Sequence, residues 1–338
     1  MRRTVCVVAL ALAVNGCSSS GGGRTQSSAL ADALSHIPDT ALARANVEFG
    51  RPAAALAADG EDATSGPYGR ALGYGLDVLA TEDAHGDQQL GLNVRTADYA
   101  VTAGESPHSG VLVSGVNTSA AGSKLTALGA SQSASDGGTV YRFRPDNQVN
   151  MGDKLAKAFP TAVSMLDVVR LDGSDVRFGP SSSALDITRT TGPSLLDDAA
   201  YSDLASCLDN PLAAVLTDKL PSLRTGVSPS VAAQLPKPSV GLRALGVGLS
   251  GAHGAPPTEQ MCVSADSAAH AQAIADSVRK SLASGSSLVS LQKWSEILGH
   301  GTVTVDGSTV RMTARPVGDY PGVLLHALTT GDLPGVST

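Results

Sequence analysis

A few serine, lysine, glycine and histidine arrangements in this chain have types and spacings that could do chemistry. Ser277 with Lys280, and Ser290 with Lys293, fit Ser-x-x-Lys, in which a lysine one helical turn on activates the serine for attack on a carbonyl. The Ser-Asp-Asn and Lys-Thr-Gly phrases that complete such a site are absent. Gly246, Gly248 and Gly251 fit G-x-G-x-x-G. Phosphate binding there also needs a helix that starts at the last glycine and offers free N–H groups. The following residues run to Pro256 and Pro257, which exclude that helix and predict a strand end and loop. G-x-S-x-G does not occur. None of the seven histidines, His36, His85, His108, His253, His270, His300 and His326, has another three or four residues on, and H-E-x-x-H is missing. His85 sits among Glu82, Asp83 and Asp87, a group able to hold a cation, though a solvated polar loop is the plainer reading. The residues therefore predict no catalytic, cofactor-binding or metal site.

Cysteine carries the remaining chemistry. Arg2 and Arg3 precede an apolar run from Thr4 to Val14, which ends in Val14, Asn15, Gly16 and Cys17. The run is the length of a signal-peptide core and too short to span a bilayer as a helix, which takes about 20 residues. Val-x-Gly-Cys in this place resembles the lipobox of bacterial lipoproteins; Asn15 departs from it, being more polar than the small residue usual there. The resemblance implies cleavage before Cys17, acylation of Cys17, and a protein held at the extracytoplasmic face of the cell membrane. Ser18 to Gly23, three serines and three glycines, cannot bury apolar surface and reads as a flexible tether. Cys6 leaves with the leader. Cys207 and Cys262 remain, an even pair in an oxidising compartment, and predict a disulfide, with two buried thiols as the alternative. Zinc is disfavoured, because neither has a second Cys or His at ligand spacing.

Loss of the leader leaves 22 of the 24 Lys+Arg against 31 Asp+Glu, a balance of −9. Such a surface does not attract nucleic acid. Hydrophobic residues make up 42%, enough for a real core, yet aromatics are only 3%. Carbohydrate sites lean on exposed Trp and Tyr, so that role loses weight.

The elements that must position these residues show a duplication. Val169 to Phe178 reappears as Val303 to Met312, with six of ten positions identical. Each copy alternates apolar residues around Asp-Gly, the signal of a hairpin. Val111 to Ser114 precedes the first copy, and Met261 to Ser264 the second, each followed by an Asx residue able to cap a helix, Asn117 or Asp266. Ala271, Ile274, Ala275, Val278 and Leu282 fall on one face at helical spacing. Leading strands are expected near Leu90–Val94 with Tyr99–Val101, and at Leu242–Leu249. Ser194 is expected to cap a helix running to Leu208, with a strand at Leu212–Leu216 after it. Trp294 and Ile297 are expected on a short helix packed on the core.

The fold class that follows is α+β: two related lobes, mainly antiparallel sheets with helices packed on one face. The boundaries are a leader at 1–16, a tether at 17–32, a first lobe at 33–218, a linker at 219–240 and a second lobe at 241–338. The linker rests on Pro221, Pro229, Pro236 and Pro238, which no central strand or straight helix admits. The Ser-Leu-x-Asp-Asp phrase at Ser194 to Asp198, with the later helix and Asp-Gly hairpin, loosely resembles an uncharacterised family of actinobacterial envelope lipoproteins. That resemblance spans about residues 100–315 and implies no functional residues. The expected function is a membrane-anchored extracytoplasmic lipoprotein with a structural or binding role, no cofactor, and a membrane or an envelope protein as partner. The alternatives are an envelope hydrolase with a site assembled from distant residues and a solute-binding lipoprotein of a transporter. The hairpin-rich pattern counts against the transporter reading, since that class normally alternates strands and helices.

Overall fold

The computed structural model describes residues 28–60, 66–80, 89–219, 239–318 and 321–336. The leader with Cys17, the Glu82–Asp87 cluster and the four linker prolines lie outside the described residues.

Twelve strands form one sheet: β1 Val47–Gly50, β2 Tyr99–Ala103, β3 Gly110–Ser114, β4 Ser131–Ser135, β5 Gly138–Arg142, β6 Val168–Asp172, β7 Asp175–Gly179, β8 Ala213–Thr217, β9 Leu242–Ser250, β10 Thr258–Ala265, β11 Thr302–Asp306 and β12 Thr309–Ala314. Every neighbouring pair is antiparallel. Outward from the central β1–β8 pair the order is β1-β2-β3-β7-β6 on one side and β8-β9-β10-β12-β11 on the other. The first side continues into a β5–β4 hairpin that the second lacks. Both duplicated phrases are hairpins. Asp172 pairs with Asp175 and Asp306 with Thr309, and Gly173 and Gly307 open the two-residue turns at φ 60° and 56°.

The α+β class is borne out, with one correction. Helices cover both faces of the sheet, not one. On the back face, helices Ala29–His36 and Ala199–Leu208 bury Leu30, Leu34, Leu204 and Leu208 against Val47, Phe49, Val101 and Leu216. On the front, the long helix Ala268–Ser284 buries the expected five residues, Ala271, Ile274, Ala275, Val278 and Leu282. They meet Met261, Val263 and Val310 beside the closing helix Val323–Thr330. The cause is visible in the central strands: β2 and β8 are buried at every position, so both their faces need cover.

Local expectations shift for local reasons. Leu90–Val94 is not a strand: Asn93 takes the Arg95 N–H and begins a 3-10 turn, Val94–Thr96. Ser194 caps only the turn Leu195–Asp197, and Asp198 caps the helix proper through the N–H groups of Ala200 and Tyr201. Ser267, not Asp266, caps the long helix. Trp294 is buried at the start of the short helix Trp294–Ile297, as expected.

One buried carboxylate is expected to make the fold pH-sensitive. Asp167 is fully buried, and neither of its oxygens accepts a hydrogen bond. Arg144 Nε lies 3.1 Å from Oδ1, off the bonding direction. Burial pushes the Asp167 pKa up to about 6, the Arg144 charge opposing and Asp153 and Asp146 adding to it. An acid whose folded pKa is raised contributes stability that is complete below its unfolded pKa, about 4, and lost as pH rises through about 6. The stability difference between wild type and Asp167→Asn is therefore expected to move against wild type by up to about 3 kcal/mol from pH 4 to pH 7. Urea unfolding at both pH values reads this; equal differences would show that the carboxyl is not titrating there.

Candidate functional site

Where the two sides of the sheet meet, the front face opens into a cavity of about 480 Å3. Its floor comes from the central pair. Val47 and Phe49 point to the back core, so alternation along β1 sends Glu48 to the front. Val215 and Thr217 of β8 complete the floor. One wall is the segment around the 3-10 turn Gly69–Gly73, which supplies Arg70, Gly73 and Tyr74. Two glycines let this segment lie against the strands. A Cβ on Gly50 would stand 2.2 Å from the Tyr74 carbonyl oxygen, and one on Gly75, at φ 73°, 2.2 Å from that of Ala100. Leu328 and Thr329 of the closing helix form the opposite wall. Glu259 fixes that helix: its carboxylate accepts the N–H groups of Gly322, Val323 and Leu324 at 2.7, 2.8 and 2.6 Å. Arg70, Glu105 and Lys219 stand exposed at the rim.

The floor is electrically unbalanced. Burial pushes the Glu48 carboxyl above the ordinary range; Asp77 adds to this and a hydrogen bond with Asn46 opposes it. Asp77, half-buried, is pushed up by desolvation in the same way, against a hydrogen bond from the Val78 backbone. Burial raises Tyr74, Glu48 raises it further, and Arg70 opposes. Among the described residues, neither Glu48 nor Asp77 forms an ion pair.

The residues singled out in the sequence lie elsewhere. Cys207 and Cys262 are bonded, and tie the Ala199–Leu208 helix to β10 on the back face. Ser277 Oγ donates to the Gly335 carbonyl, on the solvent side of the long helix. Ser290 N–H donates to Ser287 Oγ, and Lys293 serves as the cap of the Trp294 helix. Gly246 and Gly248 are strand residues of β9, as expected, and they admit Leu208, 3.1 Å from a Cβ placed on either. The glycine spacing thus reports helix packing on the sheet. His270 Nδ1 lies 2.5 Å from Asp266 Oδ1 at the surface. A smaller cavity of about 250 Å3 behind Arg70 gathers Ser287, Ser290, His326 and Asp332. There Ser287 Oγ donates to Asp332 Oδ2 at 2.6 Å, not to histidine. Among the described residues no serine hydroxyl is hydrogen-bonded to a histidine ring, and no three His, Cys, Asp or Glu side chains converge on a metal position.

Nothing in the sequence marks Glu48, Arg70, Tyr74 or Lys219. Glu48 reads as the polar member of an alternating strand, and the other three sit in short irregular stretches. Their convergence is a product of the sheet order. Comparison with protein-family models, with curated proteins and with solved structures found no match to this chain.

Proposed function

We infer that this chain is a lipid-anchored binding protein of the extracytoplasmic face of a bacterial membrane, built from two related halves, with the cavity between them as its ligand site. The observation that carries the binding role is that cavity: it opens beside the central strand pair, with a carboxylate on its floor that forms no ion pair among the described residues. The address is supported by the Val14–Cys17 phrase, the Ser/Gly tether and a disulfide of the kind that persists in oxidising compartments. The relatedness of the halves is supported by the mirrored strand order and the two matching hairpins. On this reading the second half begins before β8, and the β4–β5 hairpin is an insertion in the first. Membership of the actinobacterial envelope family belongs to the same proposal.

Cys17→Ser tests the address. Expected are an uncleaved leader or release of the protein into the medium, read by mass spectrometry and membrane fractionation. A Cys17→Ser protein that is still processed and still sediments with membranes would overturn the anchor. The hydrolase reading is favoured only by the gathering of Ser290, His326 and Asp332 in the smaller cavity. Labelling by a fluorophosphonate that disappears in Ser290→Ala would replace the binding reading with it.

A further inference from the structure

The cavity beside the central pair combines three features that together select a ligand class. Its lining is largely apolar, from Val215 on the floor and Leu328 and Gly73 in the walls. Its aromatic member, Tyr74, stands next to the Glu48 charge. Its floor carries a carboxylate that forms no ion pair among the described residues and that also feels the charge of Asp77. The rim cations Arg70 and Lys219 are exposed to solvent, whereas the Glu48 carboxylate lies on the half-buried floor.

We propose that the cavity binds a small amphiphilic amine, its ammonium group seated between Glu48 and Tyr74 and its apolar body against Val215 and Leu328. The inference rests on the binding role argued above and names the chemistry of the ligand. Three physical terms favour it. An ammonium within a few ångströms of a half-buried carboxylate gains a charge-assisted hydrogen bond that water screens poorly. The Tyr74 ring attracts a cation over its face. The apolar walls reward each methylene removed from water. An anion of the same shape would meet the Glu48 carboxylate on the floor and be repelled there. A cavity of about 480 Å3 lies within the range of small-molecule sites.

Three probes of one size isolate the charge: n-hexylamine, n-hexanol and n-hexanoate, titrated by calorimetry at pH 7 with protein lacking the leader. Hexylamine is expected to bind at least tenfold tighter than hexanol, and hexanoate weaker than either. Glu48→Gln is expected to cut hexylamine binding at least tenfold and to leave hexanol unchanged. Thr329→Trp, a surface change on the helix wall, is expected to plug the mouth and abolish binding with the fold intact. Should Glu48→Gln fail to fold, Tyr74→Leu supplies the test: severalfold weaker hexylamine, unchanged hexanol. If hexanol or hexanoate binds as well as hexylamine and Thr329→Trp blocks it, the ligand site stands and the amine assignment falls. Hexylamine binding that survives Glu48→Gln also ends the assignment. If no probe binds at millimolar concentration, both the assignment and the binding role fall.

Discussion

Replacing Cys207 and Cys262 by alanine is expected to lower the unfolding free energy by about 4 kcal/mol, the entropy released when a loop of this length is no longer closed in the unfolded chain. The two cysteines are 55 positions apart in sequence. The bond joins a back-face helix to β10, so it also fixes how that helix lies across the sheet. Cys262 is fully buried and Cys207 nearly so, and alanine at both avoids stranding a hydroxyl in the core. Urea unfolding of oxidised, reduced and double-alanine protein measures the effect. The reduced and double-alanine proteins are expected to agree within about 1 kcal/mol, allowing for the small voids alanine leaves. A loss below about 1 kcal/mol would mean that the bond constrains little of the unfolded chain.

Glu259→Ala is expected to cost about 3 kcal/mol, because it strands three N–H groups at the start of the closing helix, one of them, on Leu324, fully buried. No side chain of that helix caps its own N-terminus; Glu259, reaching over from β10, does the work of a cap. The carboxylate also meets the positive end of the helix dipole. Glu259→Gln keeps the shape and one acceptor oxygen, so a smaller loss is expected. The functional consequence follows from position. Leu328 and Thr329 form a wall of the cavity, so a helix freed at its N-terminus lets that wall move. Amide hydrogen exchange across residues 323–330 is expected to speed up in Glu259→Ala, while the Ala199–Leu208 helix stays protected. Uniform acceleration over both helices would indicate general destabilisation, and unchanged exchange would show that the helix does not depend on Glu259.

The elements that hold by local rules were readable in advance. The Asp-Gly phrases make hairpins because glycine alone accepts the positive φ of the turn at little cost. The long helix buries the five residues that its 3.6-residue period places on one face. Gly246 and Gly248 lie in β9 and no helix starts at Gly251, as the prolines that follow predict. Errors arose where local signals compete. Ser194 and Asp198 are both good caps four residues apart, and the chain uses both, so one expected helix became a turn and a helix.

The sequence by itself determined the alternation of strands, the hairpin turns and the helix faces, because each depends on residues within a few positions of one another; the even count of cysteines left after the leader marked a pair able to bond. Tertiary structure alone decided that the two runs of strands join edge to edge through β1 and β8. That choice exposes no periodic signal: β1 has four residues, and its partner strand begins more than 150 positions away. The join buries both faces of the central strands, calls for helices on the back, and leaves Glu48 at the bottom of a cavity walled by residues 70–74 and 328–329. Spatial neighbours so distant in the chain meet only through the sum of burial energies over the whole sheet, which no short window of sequence contains.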